Sequence, residues 1–158
     1  SLGIFLDCSN NNNIFNNTQS GEEVVNIVFK VKSSSNNRFE SNNFSLCANS
    51  FHINNGSNGN TIIANSFATD RGYIGLSLNE AEYNTISDNV LENFTVGLQL
   101  SNAGNNVIAR NIITSKEHAV QYFNFNNNVF DSNQFLGSTD ICDDGLESGR
   151  GASINTWK

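Results

Sequence analysis

The sequence predicts an all-β solenoid of about six coils, and three observations carry that expectation. The phrase N-x-[apolar]-x-x-N-x-[apolar] occurs six times, starting at Asn12, Asn37, Asn60, Asn84, Asn106 and Asn128, at steps of 25, 23, 24, 22 and 22 residues. A second phrase, apolar-x-apolar, fills each remaining half-repeat with the alternation of a strand. No segment of helical length shows helical periodicity, and the stretches between the phrases are too rich in Asn and Gly to form helices. Short strands recurring at a fixed period mark a stack in which each repeat is one coil.

The second asparagine of the phrase falls at Asn17, Asn42, Asn65, Asn89, Asn111 and Asn133. Between the two asparagines the apolar slot holds Ile14, Phe39, Ile62, Ile86, Ile108 and Phe130. Two residues past the second asparagine stand Gln19, Phe44, Phe67, Leu91, Ile113 and Phe135, where Gln19 alone breaks the pattern. The alternating pairs are Ile4 and Leu6, Phe29 and Val31, Phe51 and Ile53, Leu76 and Leu78, Leu98 and Leu100, and Val120 and Tyr122. A small residue often precedes them, as at Gly3, Ser50, Gly75, Gly97 and Ala119, which suits a tight corner.

Coils stacked at the strand spacing of ~4.8 Å put equivalent residues directly above one another, giving a rod roughly 29 Å tall. An inward asparagine at a corner can then donate its amide to the side-chain oxygen of the next, while its other groups serve the turn. Aspartate has no donor, serine cannot span the coil spacing, and leucine would leave corner amides unsatisfied. The column from Asn17 to Asn133 is therefore expected to be a structural ladder. The rival solenoid at this period, the leucine-rich repeat, needs an asparagine where Ser9, Ser34, Ala81, Ala103 and Phe125 stand.

Two departures from the period fall at one corner. In coil one, Ser20 to Val28 ("SGEEVVNIV") reads as a loop or an extra hairpin. In coil three, Phe67 to Leu76 is two residues longer than Leu91 to Leu98, so "ATDRGYI" bulges there. The coils occupy residues 1–136, and 137–158 reads as an irregular C-terminal tail or cap of the same single domain. Cys142 follows Phe135 by seven residues, the spacing that separates Val120 from Ile113, and is expected in the inward slot of a last partial strand.

The net charge of −7 without a basic run offers no footprint for nucleic acid or anionic lipid. No apolar stretch is long enough to span a bilayer, so membrane insertion is not expected. The opening "SLGIFLDCSNNNN" lacks a signal-peptide pattern and already reads as the middle of a repeat, as expected of a segment of a longer exported chain. Cys8, Cys47 and Cys142 lack metal or redox spacing and are expected to be small buried or semi-buried fillers.

The consensus G-[IL]-x-L-x-x-S-x-x-N-x-I-x-x-N-x-[FI] is clearest in "VGLQLSNAGNNVIARNII", Val96 to Ile113. It resembles the right-handed single-stranded parallel β-helix of carbohydrate-binding proteins and sugar hydrolases, most closely the NosD-like branch, over about residues 3–136. The resemblance implies an extracellular, periplasmic or cell-surface protein. NosD-like repeats commonly close with a D-x-G…N-x-W element, which Asp143, Gly145, Asn155 and Trp157 resemble with an insertion. The copper handling for which NosD is known finds no support in the residues: there is no Met, and His52 and His118 lie some three coils apart. No cofactor is expected, Ca²⁺ at an acidic corner excepted.

Two candidate sites follow. The residues between the alternating core pairs, Lys30, His52, Ser77, Gln99 and Gln121, form an outward, mostly uncharged, hydrogen-bonding column. Beside it run Lys32, Asn54, Asn79, Ser101 and Phe123, and the ribbon suits the hydroxyls of a glycan. The second candidate is the bulging corner, where Asp70, Arg71, Glu92, Lys116, Glu117 and His118 come from three successive coils. Carboxylates there could hold Ca²⁺ while Arg or Lys removes the proton beside a sugar carboxylate. The expectation is a non-catalytic scaffold that binds polysaccharide along the ribbon. Its alternatives are a polysaccharide lyase or uronate epimerase fragment and a structural spacer that associates end to end or side by side.

Overall fold

Both repeated phrases become strands, because alternation in each puts every second side chain against a shared interior. The computed structural model describes residues 2–19, 21–124, 126–136, 139–143 and 156–157. Among these there are seventeen strands and no helix. In chain order they are β1 (Leu2–Asp7), β2 (Asn13–Phe15), β3 (Val25–Lys32), β4 (Arg38–Glu40), β5 (Asn43–Phe44), β6 (Cys47–Asn54), β7 (Thr61–Ile63), β8 (Ser66–Ala68) and β9 (Ile74–Asn79). There follow β10 (Thr85–Ser87), β11 (Val90–Ser101), β12 (Val107–Ala109), β13 (Ile112–Phe123), β14 (Val129–Asp131), β15 (Gln134–Leu136), β16 (Thr139–Asp143) and β17 (Thr156–Trp157). Every pairing between them is parallel, and the result is a β-solenoid of about six turns.

Three columns of apolar residues fill the interior. Ile14, Phe39, Ile62, Ile86, Ile108 and Phe130 stack in register in one sheet. Ile4, Phe29, Phe51, Leu76, Leu98 and Val120 stack in a second. Phe44, Phe67, Leu91, Ile113 and Phe135 form the third. In the first and second coils the filling is aromatic: Phe29 and Phe51 are stacked with centroids 4.7 Å apart, and Phe39 meets Phe51 edge-on at 5.2 Å. These three rings are fully buried, and each contributes roughly 1.5–3 kcal/mol by leaving water.

Both asparagine columns are ladders. The backbone N–H and the Nδ2 of each asparagine donate to Oδ1 of its equivalent one coil on, from Asn12 to Asn128 at 2.9–3.1 Å. The column from Asn17 to Asn133 does the same at 2.8–3.0 Å. Nδ2 also reaches back to a carbonyl of the preceding coil, as from Asn65 to Phe39 O and from Asn111 to Ile86 O. Buried amides are thus paired on both sides.

A second role of asparagine lies one residue earlier. Asn11, Asn16, Asn36, Asn105 and Asn127 adopt positive φ of 53–60° directly before a ladder asparagine. The doubled Asn-Asn of these corners therefore combines a left-handed turn residue with an inward ladder residue. Asparagine enters that backbone region more readily than other non-glycine residues. Ala64, Tyr83 and Arg110 occupy the same corner positions at φ 53–58° without that advantage.

Gly75 and Gly97 are required for space. A Cβ on Gly75 would overlap Gly97 O, and one on Gly97 would overlap Ile113 Cγ2 and lie 2.8 Å from Ala119 O. Ser50 fits the same column because its hydroxyl donates to Gly75 O.

Of the loop and the extra hairpin expected for the coil-one insertion, the structure has the loop: bends at residues 21–23 lead straight into β3, which pairs in parallel with β1 and β6. Gln19, the break in the apolar column, ties that loop down, donating from Nε2 to Glu23 O and accepting Leu46 N–H. Cys8 is an exposed corner residue at φ 49° and not a filler. Cys47 is buried, and burial pushes its thiol up to about 12. In β16, Ile141 is the residue opposite Val120, which puts Cys142 opposite Gln121, one position from the expected register. Gly145 and Asn155 of the closing element lie outside the described residues.

Asn111→Leu removes the acceptor for two donors of Asn89 and the donor to Ile86 O. It is expected to cost about 1–3 kcal/mol in a denaturant melt, whereas Thr85→Val, on the outward face of β10, should change little. Equal silence of the two would sink the ladder account. Gly97→Ala is expected to cost about 1–3 kcal/mol through overpacking, and an unchanged melting midpoint would show that the corner has room for a methyl group.

Candidate functional site

The ribbon lies on the strands of the second sheet, where the residues between inward pairs must point to solvent. Register aligns Phe5, Lys30, His52, Ser77, Gln99 and Gln121 in one column. Asp7, Lys32, Asn54, Asn79, Ser101 and Phe123 form its neighbour. All five residues expected at this site thus stand in one line at coil spacing. The structure adds Phe5 and Asp7, which the same spacing rule could have supplied.

Neighbouring coils interact along the ribbon. Gln99 Nε2 donates to Gln121 Oε1 at 2.9 Å, and Ser77 Oγ donates to Gln99 Oε1 at 3.4 Å. At the other end the Lys30 ammonium lies 5.4 Å from the Phe5 ring centroid, and Lys32 faces Asp7 at 3.8 Å. Ser77, Asn79, Gln99, Ser101, Gln121 and Phe123 border a concavity of about 320 Å³.

His52 carries a signal absent from the sequence. Its Nε2 is enclosed without a hydrogen-bond partner, as is Oδ1 of Asn54 two residues on. Burial, and secondarily the positive charge of Lys30, holds the imidazole below its ordinary pKa. A neutral imidazole has one donor and one acceptor nitrogen to offer.

At the bulging corner, residues 69–73 separate β8 from β9, while β11 and β13 run through the same corner with a register irregularity around Phe94. Arg71 N–H donates to Thr69 Oγ1 at 3.1 Å, and Thr95 Oγ1 donates to Gly72 O at 3.2 Å. Lys116 Nζ reaches past the β11 coil to donate to Asp70 O at 2.6 Å. The structure therefore joins Asp70 to Lys116 through the backbone carbonyl. Glu92 stands in register with Ala68, and His118 with Val96. The Oγ of Ser115 and Nδ1 of His118 are enclosed without a partner. Among the described residues no three or more His, Cys, Asp or Glu side chains are grouped to hold a metal ion.

A family model described as "Periplasmic copper-binding protein (NosD)" matches residues 68–158, more than half of the chain. No curated protein matches the sequence.

The depressed pKa of His52 predicts a stability term with a definite sign. The unfolded chain takes up the proton near pH 6.5, the folded chain only below that. The contribution of neutral His52 is complete above about pH 6.5 and is lost as pH falls through the folded value. The melting midpoint of the native chain should thus fall more steeply on acidification than that of His52→Gln. Superimposable profiles would contradict this.

Proposed function

The chain belongs to the NosD family of β-helix proteins, and we propose that it is a non-catalytic scaffold of an exported protein that binds polysaccharide along its outward ribbon. The observation that carries this reading is the register of Lys30, His52, Ser77, Gln99 and Gln121, one hydrogen-bonding side chain per coil. The ~4.8 Å coil spacing is close to the advance of one sugar ring, so a glycan lying along the rod would meet a new polar side chain at each ring. The family's description as periplasmic supports export. Among the described residues no helix is long and apolar enough to cross a membrane.

Copper does not enter this reading. The sequence has no Met and two His, and His52 on β6 and His118 on β13 are separated by the coils of β9 and β11. Of the thiols at Cys8 and Cys47, one is exposed at a corner and the other is buried with a raised pKa. Among the described residues these donors are not brought together as a copper site would need. The corner weighs less than the ribbon because Lys116, a cation that uronate chemistry would use, is engaged with a backbone carbonyl.

Affinity electrophoresis against a panel of polysaccharides tests the reading. At least one should retard the protein, and Gln99→Ala with Gln121→Ala should weaken that retention about five- to tenfold, as expected for lost hydrogen bonds. A panel without retardation would remove the binding role. Release of unsaturated uronate, lost in Arg71→Ala, would transfer the function to the corner.

A further inference from the structure

The two ends of the ribbon differ in chemistry. On β3, Lys30 and Lys32 share a face, and the next coil sets His52 beside Lys30 and Asn54 beside Lys32. Toward the other end Ser77, Gln99 and Gln121 are uncharged and bonded in a row, and Phe123, 40% exposed, borders the concavity there.

The lysine end is a cationic patch on an acidic protein. The chain carries −7 overall with 8 Lys and Arg, yet among the described residues these two ribbon columns hold two lysines against one carboxylate, Asp7. The Lys32–Asp7 pair is about two-fifths exposed on each side, so solvent screens it. Lys30 rests over Phe5, a contact that leaves its charge uncancelled. Beside these cations lie the partnerless Nε2 of His52 and Oδ1 of Asn54. Enclosed polar atoms normally find a partner, and an outward rotation of either side chain would offer the atom to a ligand.

We propose that the ribbon binds an acidic glycan in one direction, with an anionic sugar over Lys30, Lys32 and His52 and neutral rings across Ser77, Gln99 and Gln121 against Phe123. The proposal rests on the polysaccharide-binding reading and specifies its ligand. Lysine ammonium groups recognise carboxylate or sulfate as point charges. An exposed aromatic ring at the neutral end covers the apolar face of a sugar ring.

Calorimetric titration of the full chain with a galacturonate hexamer, a heparin-derived hexasaccharide and cellohexaose tests this. At low salt at least one anionic hexamer should bind about tenfold tighter than cellohexaose, and the preference should shrink as salt is added. The leading anionic hexamer identifies the group as carboxylate or sulfate. Lys30→Gln with Lys32→Gln should abolish the preference by weakening the anionic hexamers about tenfold more than cellohexaose, while Lys30→Arg with Lys32→Arg retains it. Phe123→Ala should weaken all three ligands. Equal affinity for all three hexamers would overturn the acidic, directional ligand while leaving polysaccharide binding intact; no binding of any would overturn both. Loss of the preference in the Arg pair as well as the Gln pair would mark the lysines as structural and also overturn the proposal.

Discussion

The hydrogen bond from one asparagine to the asparagine of the next coil is the constraint on which the rest of this structure depends. A coil corner leaves backbone amides that no strand can pair, and the corner is buried, so water cannot serve them either. In both ladders one Oδ1 accepts a backbone N–H and a side-chain N–H from below, and Nδ2 returns to a carbonyl of the preceding coil. These bonds hold equivalent positions one above another. The apolar columns, the aromatic stack around Phe29 and the outward ribbon are consequences of that alignment.

The corners also carry the strain of the fold. Left-handed residues precede all twelve ladder asparagines, and asparagine serves both positions at five of these corners. Its short amide tolerates the left-handed turn and its donor-acceptor symmetry builds the ladder, two separate physical reasons for one residue type. Where Ala64, Tyr83 or Arg110 stands in the turn instead, the residue that follows is still a ladder asparagine, Asn65, Asn84 or Asn111. The turn thus tolerates substitution, and the buried amide does not.

Because the repeated residues are committed to the stack, specific chemistry falls to positions that vary between coils. The ribbon changes from Lys30 through His52 to glutamine while its neighbours inside remain apolar. The corner varies as well, but its Lys116 donates to the Asp70 carbonyl across the intervening coil and so braces the loop. Membership of the NosD family accounts for the scaffold, and among the described residues no three or more His, Cys, Asp or Glu side chains are grouped to hold a metal ion.

The sequence by itself determined which residues share a column, since a fixed period in a parallel stack places equivalents above one another. The ladder from Asn17 to Asn133, the three apolar columns and all five members of the ribbon were legible for that reason, whereas the structure showed that the column from Asn12 to Asn128 is a ladder as well. Only the tertiary structure decided which polar groups satisfy one another. Lys116 finds the Asp70 carbonyl, Gln19 anchors a loop, and Nε2 of His52 finds no partner. It also decided that Cys142 sits opposite Gln121, because the period lapses after residue 136 and spacing no longer sets the register. Periodicity states position along a column, whereas the reach of a side chain, its burial and its pairing depend on neighbours from other coils.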